Sequence, residues 1–87
     1  MRTTKQALAA VRAAQRAVEM LGGPVEAARK LNLKRYQTAQ SWTRHGVPAA
    51  YCARIEQLLA HRVTRQQLRP ADWRELWPEL AAPAVAA

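Results

Sequence analysis

Apolar side chains recur at helical spacing through most of this chain. From Thr4 to Leu21 they fall at Leu8, Val11, Val18 and Leu21, with Ala7 and Ala14 between them. Arg12, Gln15, Arg16 and Glu19 then fall on other faces. Gly22-Gly23 stops this first helix, and Pro24 suits the first turn of a second that runs to Leu31. Asn32 tolerates the left-handed backbone that closes a helix. A third helix starts at Arg35 or Tyr36 and ends at Gly46. Pro48 opens a fourth, with Tyr51, Ile55, Leu58 and Leu59 on one stripe. Thr64 reads as the N-cap of a short turn, and Gln67, three residues on, completes a capping box. Pro70 opens a last helix with Trp73, Leu76, Trp77 and Leu80 at i, i+3, i+4 and i+7, whose end Pro78 obscures. The small residues of Ala81 to Ala87 predict a frayed tail. The expected architecture is all-α: about five helices, the first extended, in one domain over residues 1–80.

Composition agrees with this pattern. The 87 residues are 49% hydrophobic with only three glycines, which suits one helical domain with a modest core. No run of apolar residues is long enough to span a membrane, and Arg12 cuts the stretch from Ala7 too early for a secretory signal. The acid-free, basic start of the chain loosely resembles a transit peptide, but its helical pattern has the simpler structural reading. Cys52 is the single cysteine, so no internal disulfide forms, as fits a reducing cytoplasm.

Charge changes the picture more. Fourteen Lys/Arg against six Asp/Glu give a net +8. Residues 1–65 hold twelve of the bases and only three of the acids. Such a surface expects a polyanion.

A helix-turn-helix needs two short helices crossing steeply, a small residue where they meet, and apolar residues inside both. Residues 25–44 supply the set. Ala28 is the small residue, and Val25, Leu31 and Leu33 surround it on the inner side. Asn32 falls at the turn, while Ala39 and Trp42 anchor the next helix to the core. That leaves Gln37, Gln40, Ser41 and Arg44 mostly outward. Gln suits adenine, Arg suits guanine, and Ser suits either. Tyr36 either stacks on a base or packs under the turn. Lys34, Arg35 and Thr43, with Lys30, could hold phosphates, aided by the positive end of the third helix. A plain helical hairpin would show similar spacing, but between Lys30 and His45 there is no acid at all.

The string Arg35-Tyr36-Gln37-Thr38-Ala39-Gln40-Ser41-Trp42, followed by Gly46-Val47-Pro48-Ala49, Cys52-Ala53-Arg54-Ile55-Glu56, Val63-Thr64-Arg65 and Leu68-Arg69-Pro70 with Asp72-Trp73, resembles the YdaS/Cro-like family. These are prophage-associated, lambda-repressor-like proteins described as antitoxins or Cro-type repressors. The resemblance covers roughly residues 18–77. It implies a five-helix DNA-binding domain that binds double-stranded DNA as a homodimer and represses a neighbouring promoter, in a bacterial or phage setting. An antitoxin whose main partner is a toxin protein, and an architectural or excision-type DNA binder, stay open as alternatives. The chain departs from the family pattern at Asn32, where a glycine is usual, and in a turn one residue longer. It also carries Ala60-His61-Arg62 in place of Gly-Gly, a longer first helix, and Trp77.

Other residues have plainer readings. Arg2, Lys5, Arg12 and Arg16 are either solvated helix charges or an arm touching the DNA backbone. Cys52 reads as a small buried hydrophobe. Trp73, Leu76, Trp77 and Leu80 are more apolar surface than so small a domain needs, so part of the stripe, Trp77 above all, is a candidate dimer contact. His45 and His61 have only Cys52 for company, so no metal and no cofactor is expected. Without paired carboxylates or a phosphate-binding glycine loop, the chain is not expected to be an enzyme.

Overall fold

A computed structural model describes residues 4–81. Arg2 and the remainder of the tail, residues 82–87, lie outside the described residues. Among those described there are seven helices and no strands: α1 (Thr4–Met20), α2 (Pro24–Leu31), α3 (Tyr36–His45), α4 (Ala49–Leu58), α5 (Arg65–Leu68), α6 (Trp73–Leu76) and α7 (Pro78–Ala81). The fold is an all-α helix-turn-helix domain. The count exceeds five because the segment expected as one last helix is two single turns. Trp77 precedes Pro78, whose ring drives the residue before it out of the helical region, and Trp77 adopts φ −134°, ψ 71°. Nor does Pro70 open this segment. The helix starts at Trp73, after Asp72.

Local chemistry sets the other boundaries. Gly23 donates to the Val18 carbonyl and Gly22 to that of Glu19, the paired closure typical of a left-handed helix end. A Cβ on Gly22 would lie 2.9 Å from Cβ of Glu26. The same pairing recurs after α2, where Leu33 donates to Ala28 and Asn32 to Arg29, with Asn32 at φ 58°. It recurs after α4, where His61 donates to Glu56 and Ala60 to Gln57. There the left-handed residues are Ala60 (φ 53°) and His61 (φ 65°). Both reversals are thus closed without a glycine at the left-handed position. The capping box forms as expected: the Thr64 hydroxyl accepts from the Gln67 amide, and the Gln67 side chain accepts from the Thr64 amide.

The core gathers Ala14, Ala17 and Val18 of α1 with Leu21 just after it, Ala27 and Leu31 of α2, Ala39 and Trp42 of α3, and Cys52 and Ile55 of α4. Val47, Val63 and Leu68 close it from the connecting segments and α5. Trp42 meets Tyr51 with ring centroids 5.1 Å apart. Burial holds the Cys52 thiol neutral, its pKa pushed up to about 12.

Three apolar residues expected inside, Leu8, Val25 and Leu58, are exposed, and so is Leu76 of the late stripe. For the first three the reason is rotational. At about 100° per residue, Leu8, Val25 and Leu58 each sit roughly a third of a turn from the buried stripe of their own helix. Leu76 lies on a single turn that turns Trp77, not Leu76, toward the core.

Two ion pairs tie the late elements down. Glu56 is a buried acid that accepts from Nε of Arg65 at 2.7 Å, joining α4 to α5. The same guanidinium lies 5.5 Å from the centroid of Trp77. Arg69 grips Asp72 through two hydrogen bonds and donates to the Val47 carbonyl, pinning the turn after α3. That grip holds the Asp72 carboxyl below its ordinary range.

The left-handed positions predict opposite effects of small changes. Asn32→Ala costs about 1 kcal/mol, because alanine lacks the local side-chain bonding that eases this conformation. Ala60→Gly gains a similar amount, since glycine enters it freely. Urea unfolding of both variants checks the signs.

Candidate nucleic-acid interface

α2 and α3 form the two arms of the helix-turn-helix, joined by residues 32–35. The extra residue of this turn is absorbed in extended backbone at Arg35 (φ −137°, ψ 136°), so the helical run begins at Tyr36. Ala28 is buried where α2 turns toward α3, and Ala27 is buried beside it. Ala39 and Trp42 anchor α3 as the spacing predicts. Val25 does not share in this anchoring.

With Ala39 and Trp42 defining the inner side, the helical period puts Gln37, Gln40, Ser41 and Arg44 within a sector about 100° wide, centred opposite them. All four are exposed. The side chains of Gln37, Gln40 and Arg44 make no internal hydrogen bond among the described residues, so their donors and acceptors are free. Ser41 donates to the Thr38 carbonyl, which commits its proton and leaves its lone pairs as acceptors. Tyr36 stands at the edge of this face and is exposed rather than packed under the turn.

The flanking bases differ in freedom. Lys34 and Arg35 are exposed at the start of α3. Arg35 gives α3 no side-chain cap, so first-turn amides there lack a side-chain partner. Lys30 instead donates to the Leu21 carbonyl at 3.0 Å, capping the end of α1. Thr43 is half-buried and its hydroxyl donates to the Gln40 carbonyl. From Ala27 through Ile55 the sequence contains no Asp or Glu.

One contact of this site carries no signal in the apolar pattern. The Gln15 side chain of α1 donates to the Thr43 carbonyl of α3 at 3.0 Å. It locks α1 beside the last turns of α3. Around it lies an open groove of about 490 Å³, lined by Arg12, Gln15, Arg16, Glu19, Pro24 and Thr43 among others. Polar residues three and four apart on α1 were the available hint.

Of the late stripe, Trp77 packs against the core. Trp73 and Leu80 are half-buried, and Arg74 lies 5.2 Å from the Trp73 ring centroid.

Residues 14–76 match a family described as Bacterial toxin YdaS. The chain belongs to the YdaS family. The match starts at Ala14, the first fully buried residue of α1, and ends at Leu76, the last of α6. It therefore covers most of the packed body of this YdaS protein and leaves out the early turns of α1, Trp77 and all of α7. No curated protein and no solved structure matches the chain.

The division of α3 into an anchoring and a free face predicts a clean split in stability. Gln37→Ala, Gln40→Ala, Ser41→Ala and Arg44→Ala each change the unfolding free energy by less than about 0.5 kcal/mol. Ala39→Leu, which overfills the buried contact, costs about 2 kcal/mol. Chemical denaturation of the five variants measures both.

Proposed function

We propose that this YdaS-family chain is a sequence-specific DNA-binding transcriptional repressor of Cro type. α3 enters the major groove, and two copies of the chain read a two-fold symmetric operator. The observation that carries the reading is the outward face of α3. It is four side chains of base-reading type in a stretch without acid, held rigidly from behind by Ala39 and Trp42. Gln37, Gln40, Ser41 and Arg44 read base edges, and Tyr36 contacts the rim of the groove. Lys34 and Arg35, with the first-turn amides of α3, hold a phosphate. Thr43 lies near the other end of the helix, beside a separate phosphate, and Lys30 stays with the Leu21 carbonyl. The reading requires no catalytic chemistry, cofactor or metal, and it places the protein with the DNA of a cytoplasm.

The family's description as a toxin favours a second outcome of the same chemistry. A repressor that occupies a promoter the cell needs is harmful when overproduced. A module whose main partner is a separate toxin protein, or a DNA-bending factor, lacks such a supporting observation here.

Gln40→Ala with Arg44→Ala weakens binding to the cognate operator by about a hundredfold, since each specific pair is worth roughly 1–3 kcal/mol. Unchanged affinity in a fluorescence titration would remove α3 as the reader. The wild-type affinity itself falls by about a hundredfold or more between 50 and 200 mM salt, as several phosphate contacts release counterions.

The homodimer contact is assigned to Trp73, Leu76 and Leu80, the exposed or half-exposed part of the late stripe, with Trp77 turned inward. Leu76→Asp then leaves the chain folded and monomeric in sedimentation equilibrium. A variant that still dimerises moves the contact elsewhere.

A further inference from the structure

The early turns of α1 lie outside the family match, yet they carry bases that the fold places next to the reading helix. Arg12 and Arg16 line the groove between α1, the start of α2 and Thr43 of α3. They stand on the crest of α1, because both also border the depression on the α5 side with Gln67 and Pro70. Both are exposed, and neither makes an ion pair or hydrogen bond among the described residues. Between them in sequence, Gln15 is hydrogen-bonded to the backbone of α3 at Thr43, so the stretch of α1 that carries the two arginines has a fixed relation to that helix. Arg44 follows Thr43 directly and is exposed on the outer face. The last turns of α3 are thus bordered by Arg12, Arg16 and Arg44. Lys34 and Arg35 border its first turn.

A helix with its side chains is about 10–12 Å across, and the major groove is about 12 Å wide. A helix seated there has a phosphate wall on each side. Lys34 and Arg35 account for one wall only. We infer that Arg12 and Arg16 of α1 form a second phosphate-binding site, which holds the DNA backbone on the opposite wall of the groove from Lys34 and Arg35. Arginine suits the task because its planar fork pairs with phosphate oxygens at two points. Glu19 is the acid of the same groove, and its carboxylate opposes the phosphate. The inference rests on the reading of α3 as a major-groove helix. It adds a contact that neither the α2–α3 unit nor the matched family stretch contains in full, since Arg12 precedes Ala14.

The test uses the full chain and a duplex selected by the wild-type protein from a random library. Arg12→Ala with Arg16→Ala makes the slope of log affinity against log salt shallower by about 1.8 per bound chain, from two lost phosphate contacts. Arg12→Lys with Arg16→Lys restores most of that slope. Glu19→Gln moves it the other way and tightens binding. Circular dichroism and a thermal melt confirm that these exposed substitutions leave the fold intact. A cysteine introduced by Arg16→Cys and loaded with a photo-crosslinker, Cys52 being buried, joins to the DNA backbone on one strand outside the bases read by α3. A slope unmoved by the double alanine variant, or no crosslink from a variant that still binds, overturns the second phosphate site and leaves the reading of α3 standing. A wild-type chain that selects no duplex at all overturns both.

Discussion

Everything in this molecule depends on how closely three helices approach over small side chains. Ala14 and Ala17 of α1, Ala27 and Ala28 of α2, and Ala39 of α3 are all buried. Methyl groups at such crossings let the helix backbones come near without leaving voids. Trp42 is the one large side chain on the inner face of α3, and its contact with Tyr51 closes the gap on the α4 side. Two inward residues thereby fix the rotation of a ten-residue helix, and the rotation alone decides which side chains face solvent. A change of one methyl at Ala39 therefore bears on the proposed DNA contact as directly as a change at Gln40.

The turns serve the same end. Short helices cannot hold their own ends, so the reversals after α1, α2 and α4 are closed by backbone hydrogen bonds at a positive-φ residue. Gly22, Asn32 and Ala60 occupy that place after α1, α2 and α4. Only glycine enters this conformation without cost. Ala60 and His61 hold it because Glu56 beneath them is fixed twice over. Its carbonyl accepts from the His61 amide, and its carboxylate accepts from Arg65. The buried ion pair thus supports a strained turn, and through Arg65 it reaches Trp77.

What the sequence made legible is what is decided locally. The ends of α1, α2 and α3 follow from Gly22-Gly23, Pro24, Asn32 and Gly46, and the capping box of α5 follows from Thr64 and Gln67. Ala39 and Trp42 could be assigned inward because they are the only apolar pair on a polar helix. Val25 and Leu58 are placed inside by the pattern yet lie exposed, because their helices offer more apolar residues than one stripe holds. The choice among them is made by the neighbouring helix. Leu8 was misread for the same reason, on a helix rich in alanine that shows its packed face poorly. The partnership of Glu56 with Arg65, and of Gln15 with Thr43, joins residues on different helices, and no periodicity encodes it. The outer face of α3 was readable as a set of residue types, whereas the groove beside it depended on where α1 comes to rest.

The arrangement of charge follows from these contacts and decides what a polyanion would meet. Four of the acids are engaged: Glu26 with Arg29, Glu56 and Glu79 with Arg65, and Asp72 with Arg69. These pairs lie within α2 and among the later elements, so they neutralise bases there. Lys34, Arg35 and Arg44 around α3, and Arg12 and Arg16 on α1, have no such partner among the described residues. At physiological salt a charge is screened over about 8 Å, so a phosphate responds to its immediate neighbours and hardly to the net charge of the whole chain. The relevant quantity is therefore the local surplus. Internal pairing of the acids leaves that surplus on the helix whose outer face is free and on the helix locked against its side.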